Sequence, residues 1–294
     1  MTPRLSLWLL ALLVLVASGC HSNPEAGWKD LRPDLAATPS APSDPRFPLS
    51  DQKNGGGWTP IPQLSDEFNG NRIDDSKWLN YSPHWLGSEP GWFNPANTTE
   101  KGGLLRLRVT PGAPPQNFSY PDNTEIRGKR WIGTAVLESN TTTLYGYYEV
   151  RAKIADSRAC SAFWFFKKEP DQWTEIDVFE AGPKNPSYSD MIHIDNHVFY
   201  TPKVKKAFEI AGEVDMPSNP SGAFHVYGVD WEANLCSYYI DGKLVRTGPN
   251  EYWHQPLNIL LSTGILQNWF GVPNASELPT DFQVDYIRSW RHRA

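Results

Sequence analysis

Trp173-Thr-Glu-Ile-Asp-Val-Phe-Glu180 is the stretch on which the chain's architecture and chemistry turn. Side chains of a β-strand alternate between its two faces, so Glu175 and Asp177 project to one side and Ile176 and Val178 to the other. Under unbroken alternation Glu180 falls on the apolar side. A one-residue β-bulge at Val178 or Phe179 corrects its aim, and bulges occur beside active sites for this reason. The expectation is a bulged strand with three carboxylates on one surface, where mutual repulsion opposes their all being ionised. Acids sharing a face inside an otherwise apolar strand are costly without a purpose, so a solvated edge strand explains them less well. A calcium loop explains them less well too, because no D-x-D-x-D-G pattern accompanies them.

Outward from this strand the pattern is consistently β. Leu104-Leu-Arg-Leu-Arg-Val109 and Tyr148-Glu-Val-Arg-Ala-Lys-Ile154 alternate apolar with polar residues. Asp241-Gly242 sits between the apolar runs of Tyr238–Val245 and predicts a two-residue hairpin. Val284–Trp290 reads as a closing strand, and no long segment holds a helical period. Many short strands at this spacing must bury their sheets face to face, which predicts an all-β sandwich or jelly roll. A chain of 294 residues fits one such domain with short appendages.

The appendages are N-terminal. Arg4, the apolar run Leu5–Val16 and the small residues Ala17-Ser-Gly-Cys20 have the form of an export signal over residues 1–20. The run is too short for a comfortable transmembrane helix. Its ending resembles the lipobox of bacterial lipoproteins, with Ala17 where Leu is usual, and so implies lipidation at Cys20. The expectation is an exported protein held on a bacterial membrane, the outer one, by its lipid alone, facing periplasm or cell surface; ordinary signal cleavage is the alternative. Cys160 and Cys236 then remain as an even pair in an oxidising compartment, where a disulfide is one outcome. Residues 21–57, with six prolines and Gly55-Gly-Gly57, read as a Pro-rich tether to a domain over 58–294.

Composition narrows the partner. A net charge of -6 argues against nucleic acid, whose affinity comes largely from clustered Lys and Arg. Thirteen Trp, twelve Tyr and thirteen Phe supply flat amphipathic rings of the kind that stack on sugars. Three carboxylates on one face suit glycoside hydrolysis, which needs one to attack or stabilise the anomeric carbon and a protonated partner for the leaving oxygen. The middle acid holds the nucleophile and raises its neighbours' pKa.

Glu175-Ile-Asp-Val-Phe-Glu180 resembles the E-x-D-x-x-E signature of glycoside hydrolase family 16 in its bulge-containing form. The resemblance extends in order through Leu64–Gly70, Tyr145–Lys153, His225–Trp231, Tyr239–Gly242 and Val284–Arg288. It implies a curved jelly roll with a concave cleft and endo-acting, retaining cleavage. It also implies Glu175 as nucleophile, Asp177 as its assistant and Glu180 as acid/base, with no cofactor for the chemistry. Retention sets such carboxyl groups about 5 to 5.5 Å apart.

The flanks address the sugar. Gln172-Trp-Thr-Glu175 lacks the Trp-Pro and Gly common before the first Glu in β-1,3-glucanases, and is more similar to the agarase, porphyranase and carrageenase branch. Ile192-His-Ile-Asp-Asn-His197 resembles the His-containing strand of galactan-cleaving relatives. A red-algal galactan is the expected substrate, acted on by a monomer. An endo-β-1,3-glucanase, a non-catalytic surface glycan-binding lipoprotein and a structural or adhesive surface protein are the alternatives. His193, Asp195 and His197 share a strand face and suit hydroxyl binding better than metal. Trp164, by resemblance, supports the cleaved sugar. Trp85 and Trp92 occupy a loop and, with Trp131 and Trp269, are candidate stacking rings, against the alternative of core packing. Members of the family often hold a structural calcium, for which Asp285 is the candidate ligand with Glu67 nearby. Asn80, Asn97, Asn117, Asn140 and Asn274 stand in Asn-x-Ser/Thr sites that a bacterial lipoprotein leaves bare.

Overall fold

Two β-sheets account for nearly all regular structure in the computed structural model, which describes residues 25–36, 44–122 and 124–293. The export segment and Cys20 lie outside the described residues. Among those described, the helical pieces are four three-residue 3-10 turns. The seven-stranded sheet runs, in spatial order, Phe208–Asp215, Met191–Tyr200, Trp173–Ala181, Cys160–Lys168, Asn258–Gly264, Val136–Ser139 and Trp78–Leu79. The larger sheet is centred on Lys243–Pro249, Leu235–Ile240, His225–Trp231, Gly146–Lys153, Thr280–Arg291 and Leu105–Pro111.

Alternation builds the core as expected. Phe163, Phe165, Ile176, Ile192 and Ile194 of the smaller sheet join Leu105, Leu107, Val150, Tyr227 and Ile287 of the larger one in a single buried cluster. Burial of such apolar area is the main favourable contribution to folding. The predicted hairpin is present: Ile240 pairs Lys243 across Asp241 and Gly242, whose φ values of 52° and 74° are those of a primed turn. The opposite face of the smaller sheet carries a second cluster, with Phe93, Trp164, Phe166, Leu260 and Phe270 buried and Trp85, Trp173, Tyr188 and Trp269 partly exposed.

The structure bears on two further readings of the sequence. The stretch read as a tether is bound to the domain wherever it is described. Lys29–Asp30 pairs with Lys243–Pro249, and the Trp28 ring lies against Tyr238 and Trp253 at 6.3 and 6.1 Å, with the Arg246 guanidinium 4.9 Å from its centre. Its ring leaves no room for a Cβ at Gly248. Farther on, the Leu49 N–H donates to Glu149 Oε2 at 2.9 Å. Pro and Gly keep this stretch extended, but its scattered apolar residues dock it. The cysteine pair is also resolved: Cys160 and Cys236 are free, because they lie in different sheets and Cys160 is on the face turned away from the core.

Candidate active site

The bulge is where the sequence requires it. Along Trp173–Ala181, Asp177 pairs Asp195 and Glu180 pairs His193, so three steps on this strand match two on its neighbour. On the other side Trp164 pairs Asp177 while Phe163 pairs Phe179, leaving Val178 as the extra residue. Val178 and Phe179 both enter the core, where Phe179 meets the Tyr227 ring at 4.3 Å. Glu175, Asp177 and Glu180 consequently share the outer face of the smaller sheet.

Pairing across four strands arranges this face in rows. Phe166, Glu175, His197 and Glu209 form one row; Trp164, Asp177, Asp195 and Ala211 the next; Ala162, Glu180, His193 and Glu213 the third. His197 Nε2 lies 3.3 Å from Asp177 Oδ2 and 4.0 Å from Glu175 Oε1, and its Nδ1 lies 3.8 Å from Glu209 Oε2. The Asp195 carboxylate accepts the Gly212 N–H at 3.3 Å. On the far side of Glu180, Cys160 Sγ lies 3.6 Å from its Oε1.

Crowded, shielded acids hold their protons. Burial first, then the charge of Asp177, pushes Glu175 up to about 8, partly offset by the His197 imidazole. Glu180 is pushed well above the carboxylate range by burial and by Asp177, Asp195 and Glu175. Asp177 is raised by burial, Asp195 and Glu209, and Asp195 itself, mainly by burial, to about 6. Burial and the neighbouring carboxylates thus favour the protonated form of Glu180, the form that a proton donor needs.

The sequence-predicted binding residues separate into two groups. Trp164, 7% exposed, lies in the row of Asp177 with its Nε1–H donated to Ser262 Oγ at 3.0 Å. Trp85 packs edge-on to it at 5.8 Å. His193 is buried against Trp269 at 4.6 Å and Tyr188 at 5.0 Å, and burial holds it down to about 4, so its ring is neutral. Trp92 is a correction. It belongs to the short strand Gly91–Phe93, is 3% exposed, and donates its Nε1–H to the Gly112 carbonyl, so it is a core ring. Trp131 is 53% exposed beside Ile132–Thr134, a strand joined to the larger sheet rather than to the one bearing the acids.

Asp285 and Glu67 each have an arginine partner. Asp285 pairs with Arg151 at 2.8 Å, and both Glu67 oxygens take the Arg288 guanidinium. Among the described residues, Glu175, Asp177 and His197 form one group close enough to share an ion, and Asp230, Glu232 and His292 another.

The same face carries groups that sequence reasoning missed. Glu209 and Glu213 alternate with Ile210 and Val214 in Phe208–Asp215, a period of two that could have revealed them. Glu138, 1% exposed, lies two strands beyond Trp164 in the same row, with His84 Nε2 3.6 Å from its carboxylate. Burial pushes Glu138 up to about 7, against a hydrogen bond from Ser82. Because its folded pKa exceeds the ordinary carboxyl value, the stabilising contribution is complete below about 4.5 and disappears as pH rises through about 7. Glu138→Gln should therefore be more stable than the parent at pH 8, by on the order of 2 to 3 kcal/mol, and close to it at pH 4.5. Calorimetry at the two pH values checks this; an equal shift at both contradicts it.

Comparison with known proteins gives a consistent result. Residues 58–292 match the family model described as the GH16 domain of β-porphyranases A–D. β-Porphyranase E of Zobellia galactanivorans is 29% identical over 261 residues, covering 79% of this chain and 88% of that protein. Glucan endo-1,3-β-glucosidase A1 of Niallia circulans is 27% identical, over 86% of this chain and 42% of its own length. The crystal structure of the κ-carrageenase from Pseudoalteromonas carrageenovora with a κ-carrageenan oligotetrasaccharide superposes with a TM-score of 0.65 and 26% identity, over 80% of this chain and 95% of that one.

Proposed function

Since the chain belongs to glycoside hydrolase family 16, in the β-porphyranase A–D group, and is thus a jelly-roll enzyme acting on O-glycosyl bonds, we propose that it is an endo-acting, retaining galactanase for porphyran or agar. The observation that carries the mechanism is the bulge that turns Glu180 onto the face of Glu175 and Asp177. In the enzyme form with Glu175 ionised and Glu180 protonated, Glu180 donates its proton to the glycosidic oxygen while the Glu175 carboxylate attacks the anomeric carbon, and the leaving sugar departs with the proton. Glu180, now a carboxylate, then takes a proton from water, which displaces Glu175 and restores both groups. Asp177, with its Oδ2 3.3 Å from His197 Nε2, lies between the two glutamates, and repulsion among the three carboxyls favours the protonated form of Glu180.

Aromatic side chains on the same face supply the sugar contacts. Trp164 and Trp85 lie on one side of the acid strand, and Trp269 and His193 on the other. The porphyranase relative and the family match support a galactan over a glucan; the 1,3-glucanase relative supports the second reading. Reducing-end release from porphyran, agarose, κ-carrageenan and laminarin, assayed side by side, decides between them. Porphyran or agarose is expected to be cut fastest, and activity on laminarin alone would sink the galactan assignment. The lipobox-like Ala17-Ser-Gly-Cys20 supports display of the enzyme on an outer membrane, where polymer too large to enter the cell is within reach.

A further inference from the structure

Cys160 begins the strand Cys160–Lys168 and is 3% exposed among the apolar side chains of the sugar-facing cluster. Its sulfur has two acceptors within reach, Glu180 Oε1 at 3.6 Å and its neighbour's Ser161 carbonyl oxygen at 3.7 Å. A thiol has one proton, so it can serve only one of them at a time. Among the described residues, this thiol is the hydrogen-bond donor that the Glu180 carboxylate has. The ionisable groups around it are Glu175 and Asp177 on its own strand, His193, Asp195 and His197 on the next, and Glu209 and Glu213 beyond. Burial holds His193 neutral, and of the groups that act on Glu180, Asp177, Asp195 and Glu175 disfavour its ionised form while His197 favours it.

We propose that Cys160 is a positioning residue for Glu180: its S–H turns to the carboxylate when Glu180 is ionised, and to the Ser161 carbonyl when Glu180 is protonated. The idea rests on the acid/base role given to Glu180. No proton leaves the sulfur in either state, and burial with the adjacent Glu180 charge pushes the thiol far above its ordinary range, which keeps it S–H. A donor that follows the carboxylate holds one rotamer through both halves of the reaction, and it stabilises the ionised form that must act as base. The thiol is a weak donor, so the help is small and leaves Glu180 protonated in the resting enzyme.

Two substitutions of opposite sign test this. Cys160→Ala removes the donor and should move the alkaline limb of the kcat/KM pH profile up by about half a pH unit, with kcat falling more than KM changes. Cys160→Ser supplies a stronger donor and should move the same limb down by a similar amount. The profiles are measured on the full chain, with the galactan that the parent cleaves fastest, and melting curves show that each variant is folded. Limbs that stay in place, or that move in the same direction, overturn the positioning role. Glu180→Gln separates the two levels. If it keeps the parent's alkaline limb, the acid/base assignment itself is wrong; if it loses that limb while the Cys160 variants leave it unmoved, only the proposal for Cys160 fails.

Discussion

Glu175→Gln is expected to lose at least about 10,000-fold in kcat while melting higher than the parent at pH 8. In the proposed mechanism Glu175 is the nucleophile, and Gln cannot form the covalent glycosyl ester; such replacements cost this much or more. The stability gain has the opposite cause. The fold pushes Glu175 up to about 8, so its stabilising contribution is complete below about 4.5 and is lost as pH rises through about 8. Gln imitates the protonated form at every pH. The variant should match the parent near pH 4.5 and exceed it by about 5 °C or more at pH 8. Reducing-end assays and calorimetry on the same samples check both halves. Activity near the parent's would remove Glu175 from the mechanism. Unchanged stability at pH 8 would mean that the acid is not strained by its surroundings. Exchanging stability for function in this way is the general behaviour of residues held in unfavourable environments for chemistry.

The acid strand was legible because its signal is local. Glu175 and Asp177 alternate with Ile176, and the two consecutive apolar residues Val178 and Phe179 mark the only place where a bulge can bring Glu180 into line. The hairpin at Asp241-Gly242 was legible for the same reason, because two positive φ angles select those residue types. Features that depend on distant pairing were not. Trp92 looked like a loop ring, since nothing within its own stretch reveals the parallel pairing of Gly91–Phe93 with Ile132–Thr134 that buries it. The even number of cysteines allowed a disulfide, and only the sheet order shows that Cys160 lies on the outer face, with Glu180, while Cys236 faces the core. Trp28 lies in a Pro-rich stretch, and its partners Tyr238, Arg246 and Trp253 follow some 200 residues later. The Asp285 partner, Arg151 on the adjacent strand, is likewise 134 residues away in sequence.

Glu180→Gln is the second large effect, and its pattern differs from that of Glu175→Gln. Gln at this position cannot deliver a proton to the leaving oxygen or take one from water, so kcat/KM on a natural polysaccharide should fall by about 100- to 10,000-fold. The loss should depend on the leaving group. An oligosaccharide bearing an activated aryl leaving group needs little protonation, so its first cleavage step should be nearly spared and only release of the glycosyl-enzyme should slow. Added azide, a nucleophile that needs no base, should then restore turnover. The pH profile should also lose its alkaline limb, because the group whose deprotonation ends activity is absent. For the parent this limb is displaced upward from the ordinary carboxyl range, since burial and the charges of Asp177, Asp195 and Glu175 all favour the protonated acid. A Glu180→Gln enzyme that loses aryl and polysaccharide substrates equally, and gains nothing from azide, would show that the bulge serves the strand's geometry and not proton transfer.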